Sequence, residues 1–302
     1  MPAEAGRPGR QSVRVAVLAA AEQLSAAGVP SPQVDAEELA AHLLGVPRTR
    51  LGLHPLVDPS VLQAYQELVQ QRAQRIPLQH LTGVAAMGPV TVQVGPGVFV
   101  PRPETEVLVD WAIRAIADVP APVVVDLCTG SGAIALAIAA ARPDATVHAV
   151  ERAPGALAWA RRNADLHAAA GHTPILLRGG DVTDERLLAD LDGAVDLVTA
   201  NPPYVPEGTP VQPEVADHDP AEAVFAGADG LQLIRPLVSV VAGLLKPGGV
   251  LAIEHDDSHG ESVPALLAAR RVLADVQDHP DLAGRPRFVT ARRVRLTPAP
   301  GQ

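Results

Sequence analysis

Apolar residues recur with helical spacing over the first quarter of the chain and with strand spacing soon after. Between residues 12 and 81, Val13, Val17, Ala20, Ala21 and Leu24 fall on one helical face, and Ala36, Leu39, Ala40 and Leu43 on another. Leu62, Tyr65, Leu68 and Val69 continue the pattern, and Gly28-Val29-Pro30 and Gly45-Val46-Pro47 read as helix stops. The spacing predicts a bundle of about four helices within residues 1–82. Residues 1–10, rich in Gly, Pro and Arg, are expected to be disordered. This region holds no nucleotide-binding or metal signature, so a partner-docking domain and a purely structural cap both stay open. Over residues 83–100 the period falls to two. Val90, Val92 and Val94 alternate with polar residues, and Gly88-Pro89 and Gly95-Pro96-Gly97 punctuate the run, which predicts a β-hairpin linking two domains.

Residues 101–302 alternate between the two periods. Strands are predicted at 123–125, 146–150, 175–177, 195–200 and 250–254, closed by a hairpin of 272–276 with 288–294. Helices are predicted at 133–141, 156–169, 231–245 and 260–269. Such alternation implies an α/β domain with a mainly parallel sheet covered by helices on both faces. There are no internal repeats.

Composition narrows the function classes. With 302 residues and 47% hydrophobic content the chain can build two ordinary domains. A net charge of −10 argues against a sequence-independent grip on nucleic acid, so no direct nucleic-acid binding is expected. Lys246 is the only lysine. The single cysteine, Cys128, rules out an internal disulfide framework and fits a reducing cytoplasm. The N-terminus lacks a signal-peptide pattern, and no uncharged apolar stretch is long enough to span a bilayer. A cytoplasmic monomer is expected.

Two loops carry candidate chemistry. Asn201-Pro202-Pro203-Tyr204 follows the apolar run 195–200. Pro202 biases Asn201 toward an extended backbone, and two successive prolines prevent a helix from starting there. The result is a stiff loop at the carboxyl end of a strand, where open α/β sheets bind ligands. The Asn201 side-chain carbonyl and the Pro202 backbone carbonyl are two acceptors that a planar –NH2 group could satisfy, and Tyr204 can lie against such a group. That suits alkylation of an amide or exocyclic amine. The plainer alternative is a proline-rich turn that only ends a strand.

The second loop is Asp126-Leu127-Cys128-Thr129-Gly130-Ser131-Gly132, between the first predicted strand and helix. Gly130 and Gly132 let the backbone approach a ligand. Glu151, 19 residues beyond Gly132, can accept from ribose hydroxyls, and Asp181 from an adenine amino group. Gly130-Ser131-Gly132-Ala133-Ile134-Ala135 also fits a dinucleotide fingerprint, which keeps a dehydrogenase as a rival. Hydride transfer has no use for paired amine acceptors, so S-adenosylmethionine, whose sulfonium is an electrophile, is the better match. Direct displacement needs no metal, and no metal-ligand cluster is evident. His255-Asp256-Asp257 with His259 lacks ligand spacing and reads as a solvated loop. In Val100-Pro101-Arg102-Pro103-Glu104-Thr105-Glu106 a helix start explains Pro103, Glu104 and Glu106, but not Arg102 held between two prolines.

Four stretches in this order resemble the bacterial release-factor glutamine methyltransferases, the PrmC/HemK family. They are P-R-P-E-T-E at 101–106, D-L-C-T-G-S-G-A-I-A at 126–135, N-P-P-Y at 201–204 and L-K-P-G-G at 245–249. N-P-P-Y alone is shared with adenine-amine methyltransferases acting on DNA or RNA, which form the alternative; the proline-arginine-proline-glutamate stretch discriminates. The resemblance implies a Rossmann-like S-adenosylmethionine-dependent methyltransferase sheet over 101–302, with a small helical domain at 1–82 joined through a hairpin at 83–100. It implies methylation of the glutamine in the Gly-Gly-Gln motif of class 1 peptide chain release factors. By position, Cys128, Thr129, Gly130, Ser131, Gly132, Glu151, Val182 and Asn201 would adjoin the cofactor. Asn201, Pro202, Pro203 and Tyr204 would hold the target amide, and Arg102, Glu104 and Glu106 would shape the pocket wall. Cys128 stands where the family commonly has glycine, Glu151 where it has Asp, and Val182 where many relatives place an aromatic. Ala85-Ala86-Met87 lacks the aromatic often found in the hairpin.

Overall fold

The computed structural model describes residues 10–295 apart from Glu185. Residues 1–9, on which most of the expected disorder falls, lie outside the described residues. Two compact units result: residues up to Gly83 together with Gln212–His218, and Val84–Val211 with the residues from Asp219 onward.

The first unit is helical. β1 (Gln11–Ser12) leads into α1 (Val13–Ala26) and α2 (Pro32–Leu44); β2 (Leu56–Val57) precedes α3 (Pro59–Ala73) and α4 (Leu78–Thr82). β1 pairs antiparallel with β2. α1 buries Val13, Val17, Ala20 and Leu24, the face its spacing predicted. Pro32 opens α2 where its missing N–H does no harm, and Gly45, with φ 64°, closes it in the left-handed conformation. The Tyr65 hydroxyl donates to Ala36 O at 3.0 Å. One ion network is buried here. Arg72 meets Asp35 and Glu214, each at 2.7 Å, and Arg75 meets Glu214 at 2.5 Å. Burial raises the Glu214 carboxyl, but hydrogen bonds from Arg75 and Arg72 overcome this and hold it at about 2. Glu214 belongs to a segment far along the chain, which this network ties to the helical unit.

The second unit opens with an antiparallel hairpin, β3 (Val84–Met87) with β4 (Val90–Gln93), followed by α5 (Glu106–Ala115). β5 (Val123–Leu127), α6 (Ala133–Ala141), β6 (Thr146–Glu151), α7 (Pro154–Ala169) and β7 (Leu176–Gly179) follow, then β8 (Val195–Ala200). The chain next gives α8 (Pro213–His218) to the helical unit and returns through the short α9 (Ala221–Val224). α10 (Ile234–Leu244), β9 (Leu245–Glu254), α11 (Ser262–Ala268) and the pair β10 (Leu273–Pro280) and β11 (Pro286–Arg293) complete it. The seven-stranded sheet has the order β10-β11-β9-β8-β5-β6-β7. β5 to β9 run parallel, and β10 and β11 antiparallel. Every residue of β8 is buried, as a central strand covered on both faces requires. α6 is apolar nearly all round and buries seven of its nine residues, so it belongs inside rather than on the surface. Strand order reverses at β5: the chain builds outward through β6 and β7, then crosses back to β8. The carboxyl ends of β5, β6, β8 and β9 therefore face one crevice edge.

Several boundaries differ from expectation. α10 begins at Ile234 rather than 231, because Asp229 Oδ1 accepts from Leu231 N at 3.1 Å and holds a turn there. α11 begins at Ser262 rather than 260, after a 3-10 turn at Asp257–His259 capped by Asp256. The third strand lies one residue later and runs to Gly179. The polar run after β9 is solvated only in part: Asp257 and Ser258 are exposed, but His255 and His259 are buried. Their ring nitrogens meet Asp278 Oδ1 and Asp229 O, each at 2.9 Å. No helix among the described residues is long and apolar enough to cross a membrane.

Candidate functional site

The loop after β5 is built on left-handed backbone. Cys128, Gly130 and Gly132 have φ of 58°, 57° and 84°, a region glycine enters freely and other residues rarely. Thr129 N donates to Val150 O at 2.9 Å and Gly132 N to Thr129 O at 2.8 Å. Beneath the loop, fully buried Asp126 accepts from Thr129 Oγ1 at 2.6 Å and from Thr199 Oγ1 at 2.8 Å. Burial pushes this carboxyl up to about 7, against the lowering effect of those two hydroxyls and the Ala135 backbone. Burial likewise pushes the Cys128 thiol up, which makes it a poor nucleophile. Ser131 is buried, and its carbonyl accepts from Asn163 Nδ2 at 2.9 Å.

Glu151 ends β6 and faces the same loop. Its Oε2 accepts from Gly130 N at 2.9 Å and its Oε1 from Ala153 N at 2.8 Å. Each oxygen keeps a second lone pair, so the carboxylate is aimed by backbone and still able to take ribose hydroxyls. Asp181 accepts from Thr183 N and Oγ1 at 2.9 and 2.7 Å and pairs with Arg152 at 3.3 Å. Hydrogen bonds from the Thr183 backbone and hydroxyl hold its carboxyl below the usual range. Val182 is buried in the same apolar cluster as Val150 and Leu188. A bare glycine loop with an oriented carboxylate one strand away is a donor and acceptor set that fits an adenosyl cofactor.

Asn201 leaves the buried β8, and its Nδ2 donates to Thr105 Oγ1 at 3.3 Å. This commits one of the two amide N–H groups, and Oδ1 is the acceptor of that side chain. Pro202 is buried and Pro203 half-buried. Beyond them the backbone is clamped: Val205 N donates to Val224 O at 2.9 Å and Ala226 N to Val205 O at 3.0 Å. Gly230 passes so close that an added Cβ would lie 2.2 Å from Tyr204 O. The Tyr204 ring packs on the β8–β9 core, and its hydroxyl donates to Glu254 Oε1 at 2.9 Å. Burial drives the Tyr204 phenol well up, with the Glu254 charge adding to it.

The structure separates the residues of the proline-arginine-proline stretch. Arg102 is an anchor: its guanidinium pairs with buried Asp219 and lies 5.0 Å over the Phe99 ring. Asp219 also accepts from Val100 N at 3.2 Å. Glu104 is exposed, and Glu106 accepts from Gly88 N at 3.3 Å in the hairpin turn. Thr105, which sequence reasoning passed over, is the buried member that touches Asn201. Glu254 and Asp219 were also missed. The signals available were a hydroxyl inside a charged motif and carboxylates bordering apolar runs.

Comparison with known proteins agrees with this architecture. The sequence profile of the PrmC N-terminal domain matches residues 16–83, and that of the methyltransferase small domain matches residues 91–223. A release factor glutamine methyltransferase of Mycolicibacterium smegmatis is 53% identical over 282 residues, covering 93% of this chain and 98% of that protein. The protein of the same name from Streptomyces coelicolor is 52% identical, covering 92% and 97%. That from Mycobacterium tuberculosis H37Rv is 47% identical, covering 96% and 95%. With a parallel sheet reversing at β5, glycine and Asn-Pro-Pro-Tyr loops on one edge, and relatives matched nearly end to end, this chain belongs to the release factor glutamine methyltransferase family.

Proposed function

We infer that this protein methylates the side-chain amide nitrogen of the glutamine in the Gly-Gly-Gln motif of class 1 peptide chain release factors, with S-adenosylmethionine as donor. The observation that carries it is the Asn201 amide at the end of β8, held by an N–H that donates to Thr105 Oγ1 at 3.3 Å, which leaves Oδ1 as its acceptor.

A primary carboxamide is a poor nucleophile because its lone pair is delocalised, with a rotation barrier of about 18–20 kcal/mol in peptides. Its two N–H groups match the two acceptors Asn201 Oδ1 and Pro202 O, which orient the nitrogen and favour the positive charge it gains on attack. When bound, the cofactor supplies an electrophilic methyl group on a sulfonium. The residues that would hold it are the Cys128–Gly132 loop and Glu151, with Asp181 and Val182 as the candidates for the adenine. The amide nitrogen held by Asn201 and Pro202 would accept that methyl in a direct displacement, and its proton, acidic only once alkylation is under way, would leave to water. No strong base is needed beforehand. Holding the partners in line can supply about 7–11 kcal/mol of the barrier.

Incubation with cofactor labelled in the methyl group, with either a release factor or DNA and RNA as acceptor, tests this. Tandem mass spectrometry is expected to place one methyl on the Gly-Gly-Gln glutamine. Label in nucleic acid alone would establish the adenine-amine alternative instead.

A further inference from the structure

Asn163, on α7, spends its side-chain amide on two separate parts of the methyltransferase unit. Its Oδ1 accepts from Gln93 N at 2.8 Å, and its Nδ2 donates to Gln93 O and to Ser131 O, each at 2.9 Å. The residue is 4% exposed. An amide nitrogen carries two N–H groups, one for each carbonyl. Gln93 ends β4, and its backbone meets the amide as it would meet a neighbouring strand. That pairing alone would dock the hairpin on α7. It does not call for the second N–H, which reaches into the glycine loop.

The contact falls where the loop is least constrained by its own residues. Gly130 and Gly132 have φ of 57° and 84°, and glycine lets a peptide plane turn over at little steric cost. The plane between Ser131 and Gly132 is instead held at both ends. Gly132 N donates to Thr129 O at 2.8 Å, and Ser131 O accepts from Asn163. The hairpin side of the clamp is fixed as well. Trp159, on the same helix, donates from Nε1 to Pro96 O at 3.2 Å, and a Cβ added at Gly95 would lie 2.7 Å from its ring. A loop ordered in advance loses less freedom when a ligand arrives, which raises affinity. We propose that Asn163 is a positioning residue that locks the Ser131–Gly132 peptide to the β3–β4 hairpin and so presets the glycine loop for the adenosyl cofactor. The proposal rests on that loop being the cofactor's seat.

Asn163→Asp tests it at nearly constant shape. The change keeps the acceptor for Gln93 N and removes both donors, so the Ser131–Gly132 plane loses one of its two restraints. Calorimetry with S-adenosylmethionine should show affinity about tenfold weaker than wild type, the scale of one buried hydrogen bond. Ile116→Ala is the control for a loss of stability alone. Ile116 is 1% exposed in the core that includes α6, and its carbonyl accepts from Arg142, at the far end of α6 from the loop. That variant should lower the urea midpoint and keep wild-type affinity. Wild-type affinity in folded Asn163→Asp overturns the proposal, as does an equal loss of affinity in Ile116→Ala. If Asn163→Asp does not fold, as judged by its melting curve, hydrogen exchange of the wild-type protein decides. The Gly132 amide should already be protected without cofactor, and one that exchanges freely until cofactor is added overturns the proposal. Wild-type calorimetry separates the two readings. If the wild type does not bind S-adenosylmethionine, the proposed function fails and the role of Asn163 with it. If it binds and Asn163→Asp matches it, only the role of Asn163 fails.

Discussion

Replacing Gly230 by alanine should disable the site from outside it. The added Cβ would lie 2.2 Å from Tyr204 O, 3.1 Å from Tyr204 C and 2.8 Å from His259 Cε1. The imidazole is a side chain and can yield. The carbonyl is backbone, one residue after Pro203, and it can retreat beyond 3.0 Å only if the Asn-Pro-Pro-Tyr loop moves with it. Gly230 also has φ 72°, where a Cβ costs about 1–2 kcal/mol. Overpacking adds about 1–3 kcal/mol, and the stiffer unfolded chain returns about 0.4–1 kcal/mol. A net loss of about 2–4 kcal/mol follows, seen as a lower urea midpoint. A displacement near 1 Å at reacting groups can cost about 10²-fold in rate. Single-turnover methyl transfer to a release factor should therefore fall on that scale while calorimetric cofactor affinity holds. Gly284→Ala is the control: φ is 80° but no atom lies within 4 Å of its added Cβ, so it should lose only the backbone part of the stability and none of the rate. Gly230→Ala with wild-type rate and midpoint would refute the argument.

Three further outcomes follow from the same structure. Cys128 holds a left-handed φ of 58°, so Cys128→Gly should raise the unfolding free energy by about 0.5–1 kcal/mol, after the gain in unfolded-chain entropy is subtracted, and so raise the urea midpoint, whereas β-branched Cys128→Val should lower it. Asp126 has its folded pKa raised by burial to about 7; the native state keeps a proton that the unfolded chain has released, so this contribution is fully present below pH 4 and lost as pH rises through 7, up to about 4 kcal/mol at 1.36 per unit. Melting temperatures of wild type should accordingly decline across that window more steeply than those of Asp126→Asn. Glu214→Ala should cost about 3–5 kcal/mol by stripping buried Arg72 and Arg75 of a partner, measured by thermal melting.

Local pattern made much of the fold legible. The apolar face of α1, the all-buried β8 and the strand–helix alternation follow from periods that solvent exposure imposes on any helix or sheet, so reading them needs no knowledge of distant residues. What escaped was set by long-range pairing. Gln212–His218 looks like part of a loop, and contacts with residues far earlier, Glu214 with the arginines at 72 and 75 about 140 positions before it and His218 with His80, make it part of the helical unit. Glu254 reads as a polar end to an apolar strand until the fold sets it beneath Tyr204. Arg102 was noticed for its rigid setting, but its partner Asp219 lies 117 residues away and no spacing announces it. At the candidate site, residue types on loops after strands were readable. Their orientation was not, because the direction in which Asn201 points is decided by Thr105 on another element.

The account turns on the acceptor pair at positions 201 and 202, and Asn201→Ala measures it most directly. Cofactor affinity by calorimetry and methyl transfer to a release factor should part company: binding retained, and kcat down by about 10²–10³-fold, the scale of one lost preorganised contact. Equal loss of binding and transfer would mean that Asn201 only supports the fold, and would contradict the mechanism.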